Sequence, residues 1–259
     1  MQPTDSPRTA PARGTPWIRR FGTVRGGVPL VCFPHAGGSA SSYVTLSRHL
    51  APRVEVWAVQ YPGRQERRRE PLFTEIAGLA DAAFEALRPH LTAPFAFFGH
   101  SMGAVVAFEV ARRCEAAGTG PVRLFASARR APSVPSPGNI RLRDDDGLVA
   151  EIERLGGVAP GVLDDPELRA MVLPVVRADY RAIETYLSGP GATVGCPLTV
   201  LCADADPALA VPEAGAWRAH TTGPFDVSVH PGGHFYLDAR AAAVAAEITG
   251  ALSGPPARP

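Results

Sequence analysis

Short apolar runs alternate with amphipathic stretches along most of this chain, and that rhythm limits its fold more than any other feature. Strands are expected at Pro29 to Phe33, Val54 to Val59, Phe95 to Phe98, Val122 to Ala126, Leu198 to Cys202 and Phe225 to Val229. Helices are expected at Ser42 to Leu50, Thr74 to His90, Met102 to Ala117, Glu213 to His220 and Asp238 to Leu252. In the second of these, Ile76, Leu79, Ala80, Ala83, Phe84 and Leu87 fall on one helical face. Near-continuous apolar strands separated by helices imply an α/β fold: a mostly parallel central sheet with helices on both faces. With 259 residues, 46% of them hydrophobic, the chain has enough apolar material for one domain, expected over residues 17–252. Residues 1–16 and 253–259, rich in Pro and small polar residues, are expected to be disordered tails.

The stretch from about Pro132 to Gly195 breaks the rhythm and is expected to be helical. Asp144 to Asp146 mark a helix start, and Gly156-Gly157 its end. Asp165 can cap a second helix with Pro166 in its first position. Leu168, Met171, Val172, Val175, Val176, Ile183 and Leu187 suggest its apolar face, with a kink expected at Pro174. A helical insertion between core strands reads as a lid over an active site.

The motif Gly99-His100-Ser101-Met102-Gly103 lies between an expected strand and an expected helix. A serine on such a strand–turn–helix corner has the setting of a nucleophile in the α/β-hydrolase fold, the two glycines giving the sharp turn room. A serine hydroxyl needs an adjacent base. In this fold the order along the chain is serine, acid, histidine. His234, in the glycine-rich loop before the last helix, is the expected base; His230 at the end of a strand is the fallback, and His220 reads as a surface helix residue. The acid is expected just after Leu198 to Cys202, where Asp204 and Asp206 both stand. Asp206, held by Pro207, is preferred, with Asp204 as a turn residue. The oxyanion needs two N–H donors: Met102, after the nucleophile, and Ala36, in the loop Phe33 to Gly38 after the first expected strand. His35 in that loop reads as loop-shaping.

Composition excludes several other classes. The formal net charge is +1 and the basic residues are scattered, which argues against nucleic acid. No apolar run is long enough to span a membrane, and the N-terminus has no signal-peptide core, so a cytoplasmic protein is expected. The four cysteines form no CxxC pair and read as buried thiols. The seven histidines form no metal framework, so neither a metal nor a cofactor is expected.

Several segments together resemble the stand-alone type II thioesterases of polyketide and nonribosomal peptide synthesis. They are Cys32-Phe-Pro-His-Ala-Gly-Gly-Ser39, Gln60-Tyr-Pro-Gly-Arg-Gln65 with Arg67 to Pro71, Phe98-Gly-His-Ser-Met-Gly-Ala104, Ala128-Arg-Arg-Ala-Pro132, Asp204-Ala-Asp-Pro207 and Gly232-Gly-His-Phe-Tyr236. The resemblance runs from about Trp17 to Leu252. It implies a triad of Ser101, Asp206 and His234, with oxyanion donors at Ala36 and Met102. It also implies a substrate acylated on the phosphopantetheine arm of an acyl or peptidyl carrier protein, cleared by hydrolysis. Two positions depart from the pattern: Ala128 stands where glycine is expected, and Cys202-Ala203 where glycine often precedes the acid motif.

Three further expectations follow. The insertion would shape an apolar chamber favouring short acyl chains. Arg64, Arg67, Arg68, Arg69, Arg129 and Arg130 would offer a basic rim to an acidic carrier. The same triad would also serve an acyltransferase or cyclase, or a generic carboxylesterase.

Overall fold

The computed structural model describes residues 15–22, 27–92, 94–136 and 138–253. A seven-stranded sheet runs through it, built from β1 (Ile18–Phe21), β2 (Leu30–Phe33), β3 (Val56–Val59), β4 (Ala96–His100), β5 (Arg123–Ser127), β6 (Leu198–Ala203) and β7 (Phe225–His230). Its order is β1-β3-β2-β4-β5-β6-β7; β1 pairs antiparallel with β3, and every other pairing is parallel. All residues of β2, β3, β4 and β6 are buried, which is why these strands read as unbroken apolar runs.

Successive side chains leave opposite faces, so one strand feeds two cores. Val31, Phe33, Phe97, Leu124, Ala126 and Val200 join α2 (Ile76–Leu87) and α3 (Met102–Ala116) on one face. Leu30, Cys32, Phe98, Phe125 and Leu201 meet α1 (Val44–Leu50) and α7 (Ala241–Ser253) on the other. The expected last helix is split: α6 (Tyr236–Ala239) precedes α7. All four cysteines are free and buried.

Between β5 and β6 the chain builds the helical insertion, chiefly α4 (Asp145–Leu155) and α5 (Pro166–Glu184). The Asp144 side chain caps α4 by accepting from Gly147 N–H at 2.8 Å, and Gly156 ends it in the left-handed conformation at φ 80°. Asp165 caps α5 through Glu167 and Leu168 N–H, and the helix continues through Pro174. Leu148, Leu163, Leu173 and Val176 form a separate small core here.

Four expectations need correction. β1 was not foreseen. Its sequence Ile-Arg-Arg-Phe has no apolar run, as suits an edge strand whose Arg20 lies over the Trp57 ring at 4.3 Å. The apolar face of α5 is the expected one only in part: Val175, Val176 and Ile183 are buried and Val172 packs on the small core, but Leu168 and Met171 are 37% and 54% exposed, Leu187 lies beyond the helix, and Leu173 and Asp179 are buried in addition. His220 is not a surface residue. It ends a 3₁₀ segment, Val211–His220, with its ring buried between Ser133 Oγ at 2.7 Å and Ala192 C=O at 2.8 Å. Ser253, placed in the C-terminal tail, closes α7. The rest of that tail and residues 1–14 lie outside the described residues, and Thr15 accepts the first turn's bond from Ile18 N–H.

Candidate active site

Every residue singled out for chemistry sits just beyond the carboxyl end of a parallel strand, where ligands bind in open α/β sheets. The loop carrying Ala36 follows β2, Ser101 follows β4, Asp206 follows β6 and His234 follows β7. Ser101 has φ 54° and ψ −120°, a conformation that a side-chain-bearing residue adopts only when its surroundings impose it. The surroundings are backbone. A Cβ on Gly99 would stand 2.1 Å from Gly103 O, and one on Gly103 would stand 1.9 Å from Phe33 O. Only glycine lets β2, β4 and α3 meet so closely. Ser101 N–H donates to Ser127 O at 2.8 Å, fixing the turn to β5.

Ser101 Oγ and His234 Nε2 are 3.0 Å apart. On the far side of the ring, His234 Nδ1 lies 3.0 and 2.9 Å from the two carboxylate oxygens of Asp206. A carboxylate facing Nδ1 places the ring proton there and leaves Nε2 to accept from the serine hydroxyl. The His234 and Asp206 side chains are 3% and 0% exposed, so little water competes for this pair. Asp206 also accepts from Ala208 N–H at 2.8 Å. Asp204 instead accepts from Gly232 N–H at 2.9 Å, tying the loop after β6 to the loop after β7. His230 points away, 3.3 Å from Glu247 and stacked on Tyr236.

Met102 opens α3, where the first N–H groups have no partner within the helix. Among the described residues, neither the Met102 nor the Ala36 N–H donates to a protein acceptor. The next N–H, that of Gly37, donates to Asp179 Oδ2 of α5 at 2.7 Å. Arg64 completes this strut: it pairs with Asp179 and donates to Gly38 O at 3.2 Å and Pro62 O at 2.7 Å. Burial pushes the Asp179 carboxyl above its ordinary range, against the pull of Arg64. His35 packs on Phe235 at 4.8 Å, and burial, followed by the charges of His234 and Arg64, lowers its pKa to about 4. It is a neutral spacer at neutral pH. His100 is also held neutral by burial, its Nδ1 2.9 Å from Ser127 Oγ.

A cavity of about 360 Å³ opens onto Ser101 and His234 between the strand ends and the insertion, with Arg129, Tyr180, Glu184 and Pro207 among its walls. A smaller apolar space of about 90 Å³ adjoins the Ala36 loop, walled by Ile152, Leu155, Val172, Val176 and Phe235. The expected basic rim is largely not a rim. Arg64 and Arg67 are buried, the latter held by Glu70 and Gln60 O. Arg130 meets Glu213 at 3.2 Å, and Arg129 lines the cavity. Arg68 and Arg69 are exposed. Asp179 was missed in the sequence, although a carboxylate among Val175, Val176 and Ile183 was itself a signal of a buried polar contact.

The thioesterase domain family model matches residues 28–252. A probable cadicidin biosynthesis thioesterase of Streptomyces griseus is 51% identical over 250 residues, covering 96% of this chain and 69% of that protein. Thioesterase PikA5 of Streptomyces venezuelae is 47% identical, covering 86% of this chain and 80% of its own. The solved type II thioesterase BorB of the borrelidin cluster superposes with a TM-score of 0.85 at 47% identity, covering 91% of this chain and 97% of its own. RedJ, a thioesterase of the prodiginine pathway in Streptomyces coelicolor, gives 0.81 at 36% identity, covering 95% and 91%. With these likenesses running through nearly the whole sheet and its helices, the chain belongs to the thioesterase domain family and is a thioester hydrolase of the α/β-hydrolase fold.

Proposed function

We propose that Ser101, His234 and Asp206 are the catalytic triad of an enzyme that removes acyl groups from the phosphopantetheine arm of acyl or peptidyl carrier proteins. It would thereby clear stalled or aberrant units in polyketide or nonribosomal peptide synthesis. The carrying observation is the unbroken line from Ser101 Oγ through both His234 nitrogens to Asp206. The carrier substrate is supported by relatives named for such pathways, among them YbtT, a type II thioesterase of a yersiniabactin NRPS/PKS pathway.

In the mechanism, His234 Nε2 takes the Ser101 proton as Oγ bonds to the thioester carbonyl. The oxyanion is held by Ala36 and Met102 N–H, a contribution of about 3–4 kcal/mol per donor in comparable sites. The C–S bond breaks, and His234 returns the proton to the departing pantetheine sulfur. Water, deprotonated by His234, then attacks the acyl-enzyme; the bond from the acyl carbon to Ser101 Oγ breaks, His234 returns the proton to Oγ, and the free acid leaves. The insertion serves as the lid, and Arg68 and Arg69 remain available to an acidic carrier. No helix among the described residues is long and apolar enough to cross a membrane.

The test is a set of acyl-loaded carrier proteins, following free acid by mass spectrometry. Release that disappears in Ser101→Ala is expected. Unchanged release in that variant, or transfer of the acyl group to an added amine or alcohol in place of water, would overturn the proposal.

A further inference from the structure

The cavity at Ser101 carries an unbalanced positive charge. Arg129, Arg130, Arg143 and Arg154 line it, against Glu151 and Glu184. Both carboxylates are already engaged. Glu184 accepts from the N–H groups of Ile140 at 2.8 Å and Arg141 at 3.1 Å, and from the Arg141 guanidinium at 3.0 Å. Glu151 takes two nitrogens of Arg154 at 2.9 and 2.7 Å, with Arg143 at 3.5 Å. Arg130 is met by Glu213. Arg129 is left over: among the described residues its guanidinium has no carboxylate oxygen within 4.0 Å and no hydrogen-bond acceptor.

The backbone delivers this side chain to the cavity. Ser127, whose carbonyl holds Ser101 N–H, ends β5. Ala128 turns the chain with φ 53°, and Trp217 Nε1 donates to Arg129 O at 2.7 Å, fixing the main chain. Burial, then the nearby charge of Arg130, lowers the Arg129 pKa to about 10, with Tyr180 and Glu184 pulling the other way from a distance, so the group stays charged at neutral pH with no direct partner. An unpaired guanidinium in a partly closed cavity attracts planar oxyanions, which it binds through two parallel hydrogen bonds.

We infer that Arg129 is an anion-binding residue of the substrate cavity, taking a negatively charged oxygen carried by the substrate. That oxygen belongs either to a carboxylate on the acyl group or to the phosphodiester of the pantetheine arm. The inference rests on the reading of Ser101 as the nucleophile for carrier thioesters. It gives the Ala-Arg-Arg-Ala-Pro segment a role in selecting substrate, not in docking a partner at the rim.

Three thioesters separate the possibilities: propionyl-N-acetylcysteamine, with no anion near the acyl group; succinyl-N-acetylcysteamine, with an acyl carboxylate; and propionyl-phosphopantetheine, with a phosphate. In Arg129→Gln, kcat/KM on the first is expected to hold within about twofold. On an anion-bearing substrate it is expected to fall roughly 10- to 100-fold, the worth of one charge-assisted contact. Arg129→Lys is expected to recover part of the loss. A fall confined to the succinyl substrate assigns the acyl carboxylate, and one confined to phosphopantetheine assigns the phosphodiester. Equal falls on all three, or none on any, overturn the inference. Turnover of the neutral thioester by wild type, absent in Ser101→Ala, tests the nucleophile separately. A flat response to Arg129 substitution therefore counts against this inference alone.

Discussion

Arg64 and Asp179 form an ion pair with side chains only 7% and 3% exposed, and the pair binds the insertion to the loop of the proposed oxyanion hole. Asp179 belongs to α5 and accepts from Gly37 N–H, one residue beyond Ala36. Arg64 belongs to the Tyr-Pro-Gly-Arg segment and grips Gly38 O. A displacement of α5 would therefore strip Gly37 of its acceptor and leave a buried guanidinium unpaired. The position of the insertion and the geometry of the loop at residues 36–38 are one mechanical unit.

Asp179→Asn should consequently lower both stability and kcat. Removing one partner of a buried pair typically costs about 3–5 kcal/mol. The double variant Arg64→Met/Asp179→Leu should regain much of the stability, because it strands no buried charge. It should not regain kcat, because Gly37 N–H still lacks its carboxylate. Thermal melts alongside steady-state kinetics on a neutral thioester check this. Full recovery of kcat in the double variant would limit the pair to a structural role.

Acid should unfold the protein by way of its two neutral histidines. His35 has a folded pKa of about 4 and His100 lies well below its ordinary value, both chiefly through burial. In the unfolded chain each titrates near 6.5. Their contribution is thus complete above about pH 6.5 and is lost as pH falls from there, for His35 toward about 4. The slope is roughly 1.4 kcal/mol per pH unit for each histidine. Urea unfolding at pH 7, 6 and 5 measures it, and His35→Gln should flatten the slope by about one proton. An unaltered slope would exclude His35 as a source.

Ala128 marks a place where this chain departs from the glycine expected, and its φ of 53° supplies the reason that glycine fits there. A Cβ in the left-handed region costs about 1–2 kcal/mol, partly offset by the greater freedom of unfolded glycine. Ala128→Gly is expected to be neutral or to stabilise by up to about 1 kcal/mol, measured by denaturant midpoint at unchanged slope. A loss of more than that would mean the methyl, which is 1% exposed, packs better than the backbone suffers.

What the sequence revealed and concealed follows from the range of the interactions involved. The central strands were legible because both faces are buried, so each is apolar without interruption. β1 was not, because an edge strand with two arginines in four residues carries no such mark. The elbow was legible because its turn is local, Gly99 answering to Gly103 four residues on, even though Gly103 itself answers to the distant Phe33 O. Burial of Arg64 was not, because its partner Asp179 lies 115 residues further along the chain. His220 was misread for the same reason: its ring is satisfied by Ser133 and Ala192, which local pattern does not bring near. Short-range geometry writes itself into motifs, whereas a polar group buried by a distant partner looks like any surface residue.

The two aspartates after β6 offer the sharpest kinetic separation. Both lie within Asp204-Ala-Asp206, yet only Asp206 reaches His234, through both of its oxygens, while Asp204 holds Gly232 N–H. Asp206→Asn would present an amide to Nδ1, and its NH₂ group would favour the tautomer with the proton on Nε2, which cannot accept from Ser101. A fall in kcat of about 10⁴-fold is expected, as for the corresponding change in other triads. Asp204→Asn keeps an oxygen for Gly232 N–H and should change kcat by less than about tenfold, the energy of one ordinary hydrogen bond. Steady-state rates of both variants on one thioester, with melts to show each is folded, decide it. If Asp204→Asn proved the more damaging of the two, the proposed acid would be the wrong one.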